Sequence, residues 1–261
     1  MTLSLTAENL PALANWLLDE TAPAPQGISE TRADMALSCM QQLFLCAPQY
    51  ELNGDQVAAF DDIVRTEFDR TPAREINDPA IYPKVDFLWY LVHHRKFLLH
   101  GSNSRQVDNL EPRSQEDWHG RPKKAIFATG DNIWPLFFAL LDRPKLRGSI
   151  RNGCFVVEAS PAEVKRFYFF SVNALVLHTG IWTDGFIHIL PRDTFTQTSS
   201  GPLHFDEWAS PVRVTVAARL PVSPTDFPFM YAVTGHPEEE SLFTTWLRYK
   251  ERLPDIPGLR R

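Results

Sequence analysis

Phe97-Leu98-Leu99-His100-Gly101-Ser102-Asn103-Ser104 is the stretch on which the reading of the whole chain turns. Three apolar residues end on a histidine, then a glycine, then three small polar residues. This is the pattern of a buried strand whose last side chain reaches into a site. The glycine lets backbone come close to whatever is bound there. Two later segments fit beside it. Ala125-Ile126-Phe127-Ala128-Thr129 is a second short apolar strand, and Phe205-Asp206-Glu207-Trp208 is a carboxylate pair between aromatic rings.

Upstream, residues 1–76 read as a helical region. Leu10, Leu13, Ala14, Leu17 and Leu18 recur at helical spacing, and a Pro-rich break follows over 21–27. Ser29-Glu30-Thr31 opens a second helix with Met35, Leu37, Met40, Leu43 and Leu45, and Asn53-Gly54-Asp55 punctuates before a third over 57–68. These stripes are helix-bundle core or the face of a partner-binding appendage. After a polar connector at 71–83, a helix over 85–94 ends in His93-His94-Arg95-Lys96. Adjacent histidines point apart, so this is a basic helix end and a poor metal pair.

Downstream of His100, residues 105–124 are polar, as a lid or substrate-binding loop would be. After the strand at 125–128, Asp131 or Asn132 caps a helix through Leu141, with Pro135 in its first turn. Beyond residue 150 the period changes to two. Strands are expected at 154–158, 166–171 and 174–178, then Asp184-Gly185 as the turn of a hairpin returning through 186–190, then a strand at 212–222. His178 and His188 flank that hairpin without two further metal ligands. A helix over 238–252 closes the chain. The fold class is α+β: a helical region over 1–76, then, over 77–261, a mainly antiparallel sheet with embedded helices.

With 261 residues, 44% of them hydrophobic, the chain can bury a sizeable core. Its net charge of −6 sets the overall field against nucleic acid and anionic membrane. The basic stretches at 121–124 and 143–151 are solvated surface or phosphate-binding. Cys39, Cys46 and Cys154 form no CxxC pair, and no basic, apolar leader or membrane-length apolar run occurs, so a reduced cytoplasmic protein is expected. Gly-x-Ser-x-Gly and Gly-x-Gly-x-x-Gly are both missing, which removes the hydrolase elbow and the dinucleotide fingerprint.

Taken in order, Leu98-Leu99-His100-Gly101-Ser102, Lys124-Ala125-Ile126-Phe127-Ala128 feeding a helix, and Asp206-Glu207-Trp208 resemble the ADP-ribosyltransferases of the diphtheria-toxin and poly(ADP-ribose) polymerase type. The likeness covers residue 97 to about 230 and leaves the N-terminal helices outside. It implies that family's split, mainly antiparallel β-sheet domain, with NAD as substrate. ADP-ribose would be transferred to a protein or nucleic-acid acceptor with release of nicotinamide. His100 would bond a ribose hydroxyl, the Gly101 backbone would hold the nicotinamide carboxamide, and Ser102 would sit close behind. Glu207 would bond the nicotinamide-ribose 2′-hydroxyl, stabilise positive charge as the glycosidic bond breaks, and orient or deprotonate the acceptor.

Two departures from the family pattern matter. Ile126 stands where the family has a tyrosine that stacks on nicotinamide. Phe127 is adjacent but is expected to face the other way along the strand, which leaves Phe137, Phe138 or Trp134, on the following helix, to supply a ring. Phe205, two positions before Glu207, does not fit the arginine-modifying branch, which carries Gln or Glu there. Two alternatives stand beside the enzyme: a member of the same fold that binds nucleotide or partner without turnover, favoured by Ile126, and a scaffold whose N-terminal helices engage a partner. No metal site is expected.

Overall fold

The computed structural model describes residues 3–68, 74–76, 82–104, 108–116, 122–160 and 163–254. Several of its helices begin where short polar side chains take up the first free amides. Thr31 accepts from the Asp34 amide ahead of the Arg32–Leu43 helix, and Asn53 and Gln56 close a capping box ahead of Gly54–Glu67. Ser241 does the same for Leu242–Tyr249 through Thr244, while Leu10–Leu18 carries proline in its first turn. The Lys84–His93 helix stops on a left-handed residue that is not glycine. Lys96 has φ 60°, and the Phe97 N–H turns back to Leu91 O at 3.1 Å.

The architecture is α+β, with mainly antiparallel sheet. A long hairpin, Ile150–Ser160 with Glu163–Asn173, anchors the first sheet. Leu203–Phe205 borders its first strand; Leu45–Cys46 and, in parallel, Val233–His236 border the second. The second sheet runs Arg74–Glu75, Ala218–Val222, Gly185–Leu190, Leu98–Ser102, and the third Thr196–Gln197, Trp208–Ser210, Pro122–Ala128, Arg113–Glu116. A bridge from Leu99 to Thr129 joins these two, so the His-Gly strand lies beside the Ile-Phe-Ala strand.

One main core runs through the helices and the first two sheets. Phe44 stacks on Phe155 with ring centroids 5.0 Å apart and meets Trp246 edge-on, so the N-terminal helices, the hairpin and the last helix share it. Leu98, Ile126, Leu190, Phe195 and Val216 form a second, smaller cluster. Because side chains alternate along a strand, Leu99 enters the main core while Leu98 enters the smaller one.

Several sequence expectations are corrected. Residues 105–124 hold the strands Asn109–Leu110 and Arg113–Glu116, and Lys123 and Lys124 belong to Pro122–Ala128; Arg121 lies outside the described residues, as does most of the connector at 71–83. Residues 174–178 turn rather than extend, because Asn173 catches the Leu175 amide with its side chain and the Val176 amide with its carbonyl. Gly185–Leu190 has no hairpin partner there and pairs instead with Leu98–Ser102 and Ala218–Val222. The stretch 212–222 divides into Val214–Thr215 and Ala218–Val222, and the last helix is Leu242–Tyr249 rather than 238–252.

A β-carbon at a left-handed position crowds the backbone, and glycine removes that cost. Lys96→Gly is therefore expected to stabilise the protein by about 0.5–1 kcal/mol, the ~1–2 kcal/mol of left-handed strain less the ~0.5–1 kcal/mol of added chain entropy, read as a higher urea midpoint with an unchanged slope.

Candidate functional site

The Trp134–Leu140 helix lies so close to the second sheet that two of its strands carry glycine beneath it. A Cβ on Gly101 would stand 1.9 Å from Pro135 O, and one on Gly185 would stand 1.9 Å from Ala139 O. Gly101 thus makes room for a helix, where the sequence reading gave that room to a ligand. From the end of the same strand, Asn103 Nδ2 donates to Ala139 O at 2.5 Å. Asp131 holds the helix start: its Oδ1 accepts from the amides of Ile133 and Trp134 at 2.8 and 2.6 Å, and its Oδ2 accepts from Tyr168 OH at 2.6 Å.

A cleft of about 260 Å³ opens beside this helix, lined by His100, Gly101, Phe127, Trp134, Phe138 and Glu207, and also by Gln115 and Arg143. His100 Nδ1 lies 2.7 Å from Phe127 O. A carbonyl only accepts, so Nδ1 carries the proton and Nε2 keeps its lone pair. Burial holds the His100 pKa below the ordinary histidine value, with the bond to Phe127 opposing, and the ring is neutral at pH 7.

Glu207 immediately precedes the Trp208–Ser210 strand. Thr198 fixes it twice: its amide donates to Glu207 O at 2.9 Å and its hydroxyl to Glu207 Oε1 at 2.9 Å. The neighbouring Asp206 turns inward. Arg166 donates to its Oδ2 at 3.2 and 3.0 Å, while Gly130 N and Trp208 Nε1 donate to its Oδ1, each at 3.0 Å.

Of the residues singled out from sequence, His100, Gly101, Phe127, Phe138 and Glu207 meet at the cleft. Ser102 and Phe137 do not line it. Ser102 Oγ accepts from the Ser104 amide at 3.1 Å, and Phe137 is fully buried against Phe170 and Phe227. The alternation expected of 126 and 127 is present, but it turns Ile126 into the smaller core and Phe127 onto the cleft. Thr198 and Gln115 carried no signal beyond polarity; Arg143 lay within the basic stretch at 143–151. Among the described residues, no three His, Cys, Asp or Glu gather as a metal site, and no helix is long and apolar enough to cross a membrane.

His178 is exposed in a turn, whereas His188 lies cross-strand from both His100 and Arg219. The His188 ring is fully buried, 6.1 Å from that of His100, and neither of its nitrogens has a partner among the described residues. Burial, then the charges of His100 and Arg219, lowers its pKa to about 4. Compared with models of protein families, with curated proteins and with solved structures, the chain matches none.

Two outcomes follow from this geometry. Gly101→Ala forces a methyl into the Pro135 carbonyl and is expected to cost about 3 kcal/mol or more, measured by chemical denaturation. For His188, the folded pKa of about 4 lies below the unfolded value near 6.5, so the unfolded state binds the extra proton. Its contribution is complete above pH 6.5 and lost as pH falls toward 4, a decline of about 3 kcal/mol. His188→Leu should flatten the stability profile in that window relative to wild type.

Proposed function

We propose that this protein is an ADP-ribosyltransferase-like enzyme that takes ADP-ribose from NAD and releases nicotinamide, with a split-sheet domain of that kind around the cleft. One observation carries the reading: His100, Gly101, Phe127, Phe138 and Glu207, drawn from three separate segments of the chain, line a single cleft. The cleft residues suit the nicotinamide-ribose end of NAD. Phe127 and Phe138 offer aromatic faces, a neutral imidazole offers an acceptor for a hydroxyl, and Glu207 offers a carboxylate.

NAD supplies the N-glycosidic bond whose cleavage frees nicotinamide. Glu207 sets negative charge where positive charge grows on the ribose, and Thr198 holds that carboxylate in place. His100 accepts a ribose hydroxyl at Nε2, its tautomer locked by the Phe127 carbonyl. After nicotinamide departs, Glu207 takes the proton of the incoming acceptor. Ile126 favours a second reading, a nucleotide binder without turnover, because it lies in the smaller core and puts no ring in the cleft.

Nicotinamide release from NAD by purified protein tests both readings. Wild type should release it, Glu207→Gln should lower the rate by about 10²–10³-fold, and His100→Ala should weaken NAD binding. A melting shift with NAD but no release would select the binder. Neither release nor shift would remove NAD from the account.

A further inference from the structure

Glu207 is on the wall of two clefts. Trp134, Phe138 and Glu207 line the one described above and also a second, of about 520 Å³, that extends to Phe205, Leu242 and Trp246. The carboxylate therefore stands at a partition, with His100 and Gly101 on one side and an aromatic-rich cleft on the other.

The polar groups of the second cleft narrow what it takes. Trp134 Nε1 lies 2.6 Å from Asn152 Oδ1. Indole N–H only donates, so the Asn152 amide orientation is fixed with its oxygen on Trp134, and its NH₂ has no partner among the described residues. Arg151 also lines this cleft. Its guanidinium donates to Thr245 Oγ1 and, at 3.3 and 3.5 Å, to the carbonyls of Ser241 and Glu238. Among the described residues no carboxylate pairs with it directly; the Glu240 carboxylate reaches it through the Thr245 hydroxyl, which donates to Glu240 Oε1 at 2.9 Å. Trp246 Nε1 is a further buried donor without a partner among the described residues. Aromatic faces, an amide donor and a guanidinium form a set that suits a flat base carrying an anionic group.

We infer that this second cleft is the acceptor subsite, and that the acceptor is a nucleobase bearing phosphate, in a free nucleotide or as an unpaired base of a single strand. The inference rests on the NAD reading of the first cleft. In the transfer, the C1′–N bond to nicotinamide breaks and its electron pair leaves with nicotinamide. The lone pair of a base nitrogen forms the new bond to C1′, and the proton that nitrogen sheds passes to Glu207.

Two binding measurements and one product analysis test the assignment. Adenosine, adenosine monophosphate and single-stranded oligonucleotides are titrated into the full chain without NAD, following tryptophan fluorescence. Saturable quenching is expected. Arg151→Gln should weaken the phosphate-bearing ligands about tenfold and spare the nucleoside. Leu242→Glu, at a position 42% exposed, places negative charge on the cleft and should weaken nucleotide binding about tenfold while leaving the fold intact by circular dichroism. Tighter binding of the oligonucleotide than of the mononucleotide identifies a strand as the source, and equal binding identifies a free nucleotide.

Labelled NAD is then supplied with the better ligand, and the products are separated. Label on the base supports the inference. Nicotinamide release with only free ADP-ribose, and no nucleotide binding sensitive to either variant, overturns it and leaves the NAD reading standing. Variant-sensitive nucleotide binding without any nicotinamide release supports the cleft's ligand class and overturns the donor reading instead.

Discussion

Arg166 lies between two buried carboxylates, and the site depends on that arrangement. It donates twice to Asp206 and lies 3.6 Å from Asp131, which is itself bonded to Tyr168. Burial alone would push Asp131 toward its neutral form; the Arg166 charge opposes this, while the charge of Asp206 adds to it. Such a cluster is a weak argument for net stability. Breaking it is another matter, because removing one partner strands a buried charge at about 3–5 kcal/mol. What it contributes here is placement. Asp131 holds the start of the helix beside the cleft, Asp206 precedes Glu207, and Arg166 and Tyr168 belong to the long hairpin. One guanidinium thus fixes the carboxylate, the helix and the first sheet relative to one another.

The second constraint is steric. Gly101 and Gly185 let the backbone of the Trp134–Leu140 helix rest directly on two neighbouring strands. A side chain at either position would lift the helix, and with it Trp134 and Phe138, away from His100. The cleft therefore takes its width from two glycines in a sheet, one of which, Gly101, also lines it. The smaller core sets its other wall: Ile126 is drawn into that apolar cluster, and strand alternation turns Phe127 outward.

Local signals were legible in the sequence. Thr31 and Asn53 announce helices because their side chains bond amides three residues away, whereas the same role of Ser241 is hidden within the stretch expected as helix from 238. The end of the apolar run at His100 marks the exposed end of a buried strand. Pairing was less legible. A period of two reports a strand but not its neighbour, so Gly185–Leu190 looked like half of a local hairpin while its partners lie far off in sequence, at Leu98–Ser102 and Ala218–Val222. The turn at 174–178 carries no turn signal of its own, because Asn173 supplies it from within a strand-like run. Thr198 could not be recognised either, since only the fold brings its hydroxyl to Glu207.

One short segment serves two purposes. Phe205 ends one strand, Trp208 begins another, and Asp206 and Glu207 join them. Asp206 and Trp208 point to the same side, where Trp208 Nε1 bonds Asp206 Oδ1 and the Arg192 guanidinium lies 3.9 Å from the indole centroid. Phe205 and Glu207 line the second cleft together. Asp206 is tied to Arg166 and Gly130, Phe205 packs on Phe155 in the main core, and Glu207 lines both clefts. A displacement of one residue in this segment would carry Glu207 toward Arg166 and Asp206 toward the cleft. The register of Trp208 against Ala128 and Ala209 against Phe127 prevents that slip. The chemistry available at the cleft is thus decided by strand pairing, and the half-buried Arg166 ties Asp206, next to that strand, to the long hairpin.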